Sequence, residues 1–308
     1  MLKSKINLAL FCLLACFWSG SFIGIKAVVT YWPPLFGAMV RVGIALLCLV
    51  SFKLLYQKST AIAFNIRWKI WTVGLFAQAI PFSFLFWGEH FISPGLAGIL
   101  NATVSIWTFI LSIIFLPQFN FYSPRKLLGL LIALSGIITI FYPLITFDNS
   151  SATLLGASAV IMMAISYATG GLLNQYYLSG NNKIDFFTNL YHQHWGSAGF
   201  LCLISLTLNQ WPSTDILAAH AAPWLASLYL GVCSTAIAYL IFYHLIREWD
   251  ALRASTVMYI VPILTLGWDY LFYDNKPSFS EFIGILIILT GVLLIQLRRV
   301  RRPIKISS

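Results

Sequence analysis

From Leu127 to Tyr142 the chain carries no charged residue, and apolar runs of this kind recur from one end to the other. A helix rises 1.5 Å per residue, so about twenty such residues cross the ~30 Å hydrocarbon layer of a bilayer. Runs long enough lie at 6–28, 35–56, 68–87, 94–116, 126–145, 154–176, 186–208, 223–246, 252–273 and 282–297. Short breaker-rich segments separate them, among them Trp32-Pro33-Pro34, Ser93-Pro94-Gly95 and Asn275-Lys276-Pro277. The expected fold class is therefore an all-α integral membrane protein of ten transmembrane helices, with no loop long enough for a soluble domain.

Composition excludes several alternatives. Only 9% of residues are charged and 59% are hydrophobic, where about a quarter of a soluble domain is charged. The net charge of +10 does not signal nucleic acid, because the Lys and Arg sit between apolar runs and do not share one solvated face. Cys12, Cys16, Cys48, Cys202 and Cys233 all fall inside apolar runs without a CxxC pair, which argues against a disulfide frame or a metal site. The phosphate loop GxxxxGK[ST], the HExxH pair and the GxSxG elbow are absent from the sequence, so ATP-driven pumping and common hydrolysis lose support. No cofactor is expected.

Lys3 and Lys5 precede the first apolar run, which has no small-x-small cleavage site after it and reads as a span rather than a signal peptide. Ten spans with a cytoplasmic N-terminus place Lys53, Lys58, Arg67, Lys69, Arg125, Lys126, Lys183, Arg247, Arg253 and the Arg298–Lys305 cluster on the cytoplasmic side. That one-sided split is what the positive-inside rule requires. Lys276 and the acids Glu89, Asp148, Asp215 and Asp274 fall outside, and Lys26 and Arg41 lie within or at the outer ends of their spans. The location expected is a bacterial inner membrane, with both termini cytoplasmic.

Span five contains Gly129 and Gly136, span ten contains Gly284 and Gly291, and each glycine of the first pair stands 155 residues before its counterpart. The same offset lays span four over span nine. Two five-helix halves, 1–147 and 148–308, follow, and because five is odd the second half enters the membrane inverted. Inverted repeats suit a transporter, since two similar halves of opposite orientation can exchange conformations around a midplane site.

Phe17-Trp18-Ser19-Gly20-Ser21-Phe22 with Lys26, Arg41 followed by Ala45, Tyr259-Ile260-Val261-Pro262, and the Gly-x6-Gly ends of both halves resemble the EamA-type branch of the drug/metabolite transporter superfamily. The resemblance covers nearly the whole chain. It implies two inverted five-helix bundles around a central cavity, and import or export of amino acids, nucleotides or related metabolites. The chain departs from the family pattern at Asn120 and Asn275, where members often carry Glu, and at Trp107, which stands where span nine has Pro262.

Polar groups are costly in hydrocarbon and should face a cavity or a partner. Arg41 is a candidate clamp for a carboxylate or phosphate, since guanidinium binds such groups in a bidentate way; a structural pair or a snorkel to the interface is the other reading. His194 lies near mid-depth, and two histidines two residues apart point to different faces of a helix, so His192 and His194 do not form a metal pair. Trp18, Ser19, Ser21, Gln78, Asn101, Ser105, Tyr167, His194, Tyr239, Thr256 and Tyr259 join Arg41 as candidate substrate-binding residues, aromatic walls with scattered hydrogen-bonding groups. His192 and Asp269 are candidates for coupling.

The function expected is secondary transport of a small polar metabolite, amino-acid-like or nucleoside-like, by alternating access. The partners expected are that substrate and the lipid bilayer, with a homodimer permitted and nucleic acid excluded. The rivals are an integral-membrane enzyme, which needs acids or histidines clustered at one surface, and a non-transporting receptor, which needs a long soluble loop or tail. Asp148, Asp215 and His220 are too sparse for the first, and no loop serves the second.

Overall fold

The computed structural model describes residues 2–56, 60–115, 124–146, 151–178, 184–249, 254 and 257–296. Helix α1 (Leu2–Val29) is followed by α2 (Pro34–Leu55) and by α3 (Phe64–Gly74), which passes through a π-helical turn (Leu75–Ala79) into α4 (Ile80–Phe91). Next come α5 (Pro94–Asn101), α6 (Val104–Phe115), α7 (Pro124–Thr146), α8 (Ser151–Leu178), α9 (Phe186–Thr207) and the short α10 (Thr214–Ala219). Helix α11 (Ala222–Gly231) runs through a second π turn (Val232–Ile237) into α12 (Ala238–Glu248), before α13 (Val257–Tyr273) and α14 (Phe279–Gln296). There is no strand among the described residues.

Breakers and caps set these boundaries. Pro34 and Pro94 stand in the first turn of α2 and α5, where a missing N–H costs nothing. Ser93 Oγ accepts from Leu96 N–H at the start of α5, and Asp185 accepts from Phe187 and Thr188 N–H at the start of α9.

Seven helical segments are long and apolar enough to cross a bilayer: Lys5–Val29, Pro34–Leu55, Phe64–Phe91, Pro94–Phe115, Pro124–Pro143, Ser151–Tyr177 and Ala222–Ile246. Helix α9 has the length, 22 residues, but carries the polar stretch Tyr191-His192-Gln193-His194-Trp195. The apolar parts of α13 and α14 are shorter, Ile260–Tyr273 and Phe279–Leu294. Leu47, Leu54, Ile138 and Leu271 lie exposed while Leu14, Ile25, Ile99 and Ile140 fill the interior. Helices apolar on both faces need an apolar solvent.

Two departures from the sequence reading matter for the site. The segment expected at 68–87 extends to Phe64–Phe91, so Glu89, expected outside, lies within a helix and is fully buried. The segment expected at 94–116 is broken at Ala102 and Thr103 between α5 and α6.

The bundle has two distinguishable ends. At the first, Asn7 meets His244 (Nε2···Oδ1 3.2 Å), Phe11 packs on Trp249 and Phe186 stacks on Tyr243 with ring centres 4.4 Å apart. At the second, Trp32 packs edge-on against Phe36 and Trp224, and Phe36 against Trp211.

Helices α7 and α14 pack against each other along the glycines that suggested the repeat. A Cβ at Gly136 would lie 2.9 Å from Gly284 O and 2.8 Å from Ile288 Cγ1, and one at Gly291 would lie 2.5 Å from Gly129 O and 2.7 Å from Ala133 Cβ. Adding 155 to Gly136 and Gly129 gives Gly291 and Gly284, and Ala133 maps onto Ile288 in the same way. The two halves of the seam are thus copies of one contact, the self-complementary pattern of a two-fold interface.

Gly136→Leu should therefore lower stability by about 2 kcal/mol or more, since backbone and not a flexible side chain stands in the way. Gly267→Leu should leave the unfolding temperature in detergent unchanged or raised, because a Cβ there meets nothing within 4 Å and leucine favours helix. Equal losses in both variants would remove the seam from the account of stability.

Candidate functional site

Three irregularities of the backbone fall at one level of the bundle: the π turns at Leu75–Ala79 and Val232–Ile237, and the break at Ala102-Thr103. A π turn or a break disturbs the regular helical ladder, and inside a bilayer the carbonyls affected need other donors. Hydroxyls reach them. Ser197 Oγ shares its proton between Gln193 O at 2.8 Å and Gly74 O at 3.0 Å, while Ser166 Oγ donates to Phe76 O at 3.0 Å, Thr235 Oγ1 to Leu230 O at 2.7 Å and Thr103 Oγ1 to Leu100 O at 2.7 Å.

Around this level lies a cavity of about 470 Å³, within the usual range for small-molecule sites. Ala77 and Ser234 of the π turns, and Ala102 of the break, form part of its wall. The lining reaches from Leu85 and Asn101 to Asn174, Phe186 and Asn189 at the first end.

Arg41 supplies the charge. It is 4% exposed, its Nε donates to Thr235 Oγ1 at 3.0 Å and its Nη2 to Ser234 Oγ at 3.4 Å, so the second π turn holds it from one side. Phe82 lies flat beneath the guanidinium, 4.1 Å from Cζ to the ring centre, a cation–π contact. Nη1 is buried without a hydrogen-bond partner among the described residues. Tyr167 stands edge-on to Phe82, and Trp18 packs against Tyr239 and Phe242.

A file of amides continues the lining. Asn189 Nδ2 donates to Asn174 Oδ1, Gln193 Nε2 to Asn189 Oδ1 and Gln78 Nε2 to Gln193 Oε1, at 3.0, 2.9 and 3.4 Å. Gln78 Nε2 also lies 3.3 Å from His194 Nδ1. His194 Nδ1 is 2.9 Å from Leu190 O. A carbonyl only accepts, which assigns the ring proton to Nδ1 and leaves Nε2 as a buried acceptor without a partner.

Of the residues singled out in the sequence, Trp18, Ser21, Arg41, Asn101, Ser105, Tyr167 and Tyr239 line this one cavity. Three others sit behind the wall. Ser19 Oγ accepts from Trp268 Nε1 at 2.9 Å and ties α1 to α13, while Gln78 and His194 are buried in the amide file. His192 faces a different, more open pocket near the first end, its Nε2 2.8 Å from Thr60 O. Thr256 and the side chain of Tyr259 lie outside the described residues.

At the second end, charges set on helix termini tie the helices together. Lys26 Nζ donates to Glu89 O at 2.7 Å and to Ile92 O at 3.0 Å, at the C-terminus of α4. Asp269 Oδ2 accepts from Gly95 N–H at 2.8 Å at the N-terminus of α5, and its Oδ1 accepts from Asn275 Nδ2 at 3.0 Å. Each sign matches the helix dipole it meets. The Glu89 side chain is buried in the same wall, and among the described residues neither carboxylate oxygen has a hydrogen-bond partner.

Comparison with known proteins identifies this architecture. The sequence profile of the EamA-like transporter family matches residues 5–142 and again 154–297. The chain belongs to the EamA-like transporter family. An uncharacterized transporter of Archaeoglobus fulgidus is 25% identical over 289 residues, covering 92% of this chain and 96% of its own. A probable amino-acid metabolite efflux pump of Escherichia coli is 22% identical over 302 residues, 94% and 95% of the two chains. Protein PagO of Salmonella typhimurium is 23% identical over 306 residues, 97% and 95%. A protein of known crystal structure shares the fold, with a TM-score of 0.61 at 15% identity over 94% of this chain and 96% of that one. This EamA-like protein is thus a multi-pass membrane transporter.

Sequence reasoning missed Phe82, Gln193, Asn174, Asn189 and Glu89 as parts of the site and its walls. The three amides lay in plain view as polar residues within or beside apolar runs. Phe82 resembles any lipid-facing phenylalanine, and Glu89 stood beyond the span boundary drawn for it.

The two acids of the second end should separate on substitution. Asp269→Ala removes two accepted hydrogen bonds and should cost about 1–3 kcal/mol. Glu89→Gln removes none, and the unfolding temperature in detergent should equal or exceed that of the wild type. A loss in Glu89→Gln as large as in Asp269→Ala would mean that the Glu89 carboxylate has a partner.

Proposed function

We propose that this transporter is a secondary carrier for a small polar metabolite bearing a carboxylate or phosphate, amino-acid-like or nucleoside-like. It works by alternating access between two inverted five-helix halves, residues 1–147 and 148–308, with ten transmembrane crossings. Arg41 carries the reading: a buried guanidinium beside a cavity, with one nitrogen unpartnered, can still donate to an oxyanion. Trp18, Tyr167 and Tyr239 would enclose the rest of the substrate, with Ser21, Asn101 and Ser105 supplying directional hydrogen bonds.

The fit of one small molecule follows from the volume of about 470 Å³. The cavity reaches residues of the first end, while the second is closed by Lys26, Asp269 and the Trp32 cluster, which supports a state open to one side. The paired seam of α7 and α14 and the double match of the family profile support the inverted halves. The one-sided distribution of basic residues supports a cytoplasmic first end, with both termini, in a bacterial inner membrane.

Glu89 joins Asp269 and His192 as a coupling candidate. A proton gained at Asp269 weakens the bonds it accepts from Gly95 and Asn275, while His192 keeps its Nε2 bond to Thr60 O in either charge state. Glu89 has no hydrogen-bond partner among the described residues, so a proton gained or lost there changes the buried charge of the second end without breaking a tie.

A thermal-unfolding screen of the detergent-purified protein against amino acids, nucleosides, nucleotides and polyamines tests the reading. A ligand bound only by the folded state raises its stability by mass action, about 2.7 kcal/mol at a hundred times Kd. One anionic class should stabilise the wild type and lose at least about tenfold in affinity with Arg41→Ala, the loss of a charge-assisted bond. Stabilisation that survives Arg41→Ala would move the anion site elsewhere, and liposomes that transport none of a broad metabolite panel would sink the carrier.

A further inference from the structure

A second depression of about 740 Å³ lies on the flank of the bundle near the first end, between the end of α2, the segment leading into α3, and α9. Its mouth is basic. Lys53 and Arg67 line it beside His192, whose Nε2 is tied to Thr60 O, and among the described lining residues there is no acid. Arg67 Nη2 donates to Ile62 O at 3.2 Å, while its Nε is buried without a partner among the described residues. The neighbouring start of α3 has no side chain capping its free N–H groups, so the positive end of a helix adds to the two cations.

From this mouth the depression runs along α9 from Tyr191 and His192 past Trp195 and Gly196 to Gly199 and Phe200, about 12 Å of helix rise towards mid-membrane. Gly199 opens its floor, since a Cβ there would meet nothing within 4 Å, while Gly196 lets Trp71 approach closely, a Cβ there pressing on it at 2.9 Å. Trp195, 48% exposed, stands along the trough as an aromatic wall.

A basic mouth at the membrane surface that continues as an apolar trough has the shape of one lipid and not of a free anion. We propose that this groove binds a single anionic phospholipid, its phosphate between Lys53 and Arg67 and an acyl chain over Gly199. The groove shares no lining residue with the central cavity, so the lipid site stands apart from substrate binding. Basic pockets between transmembrane helices recognise anionic headgroups by the same chemistry.

The test uses the full chain, delipidated in neutral detergent, with thermal unfolding followed as phosphatidylglycerol, phosphatidylcholine or sodium phosphate is added. Phosphatidylglycerol should raise the unfolding temperature in a saturable way, and one retained molecule should appear by native mass spectrometry. Arg67→Gln should weaken its binding about tenfold, and Gly199→Leu, which fills open space and keeps every charge, should abolish it. Arg125→Gln, an exposed cation away from the groove, should change nothing. Sodium phosphate acting as strongly as the lipid, or a Gly199→Leu protein that still responds in full, would overturn the proposal in favour of a bare anion site. Equal responses to the two lipids, or the same weakening in Arg125→Gln, would overturn it in favour of general adsorption.

Discussion

A backbone inside hydrocarbon has only itself and its own side chains to hydrogen-bond with, and that constraint explains both the regular and the irregular parts of this bundle. Most of the chain meets it with long unbroken helices. Where two π turns and a break depart from the ladder, Ser166, Ser197, Thr235 and Thr103 complete it. The irregular level is also where the cavity opens and where Arg41 is held. The polar groups that repair the backbone and those that face the cavity are thus parts of one arrangement: Thr235 Oγ1 gives its proton to Leu230 O and accepts from Arg41 Nε.

The architecture was legible because hydrocarbon leaves few choices. The apolar runs and their Pro and Gly boundaries marked out most of the helices, and the glycine pairs 155 residues apart, read as a repeat, turned out to be the residues at which α7 and α14 meet. Arg41, Trp18, Tyr167 and Tyr239 were legible for a related reason, since a charge or a polar ring inside an apolar run needs a destination. The first π turn also left a trace: Pro81 withholds an N–H one turn later, and a proline within a span disturbs the ladder before it.

What stayed hidden depends on how helices cross. The serines that complete the backbone look like any others in the sequence, and only the approach of α3 to α9 gives Ser197 its bond to Gly74. Ser19 illustrates the opposite error: mid-depth and polar, it suggested the cavity, yet the indole of Trp268 claims it. Depth along a helix can be counted from sequence, but direction around it depends on neighbours that sequence alone does not supply. Glu89 combines both difficulties, since a few residues of uncertainty in a boundary separate a solvated acid from a buried one.

The seam between α7 and α14 joins segments that leave the ribosome more than a hundred residues apart. Helix α7 is the least buried of the crossing segments, because α14 is its one extensive neighbour among the described helices. During synthesis it must therefore wait in the lipid with Gly129, Ala133 and Gly136 uncovered until α14 has been made. A product truncated before α14 would keep that small-residue stripe exposed, a ready marker by which membrane quality control could tell an unfinished molecule from a finished one.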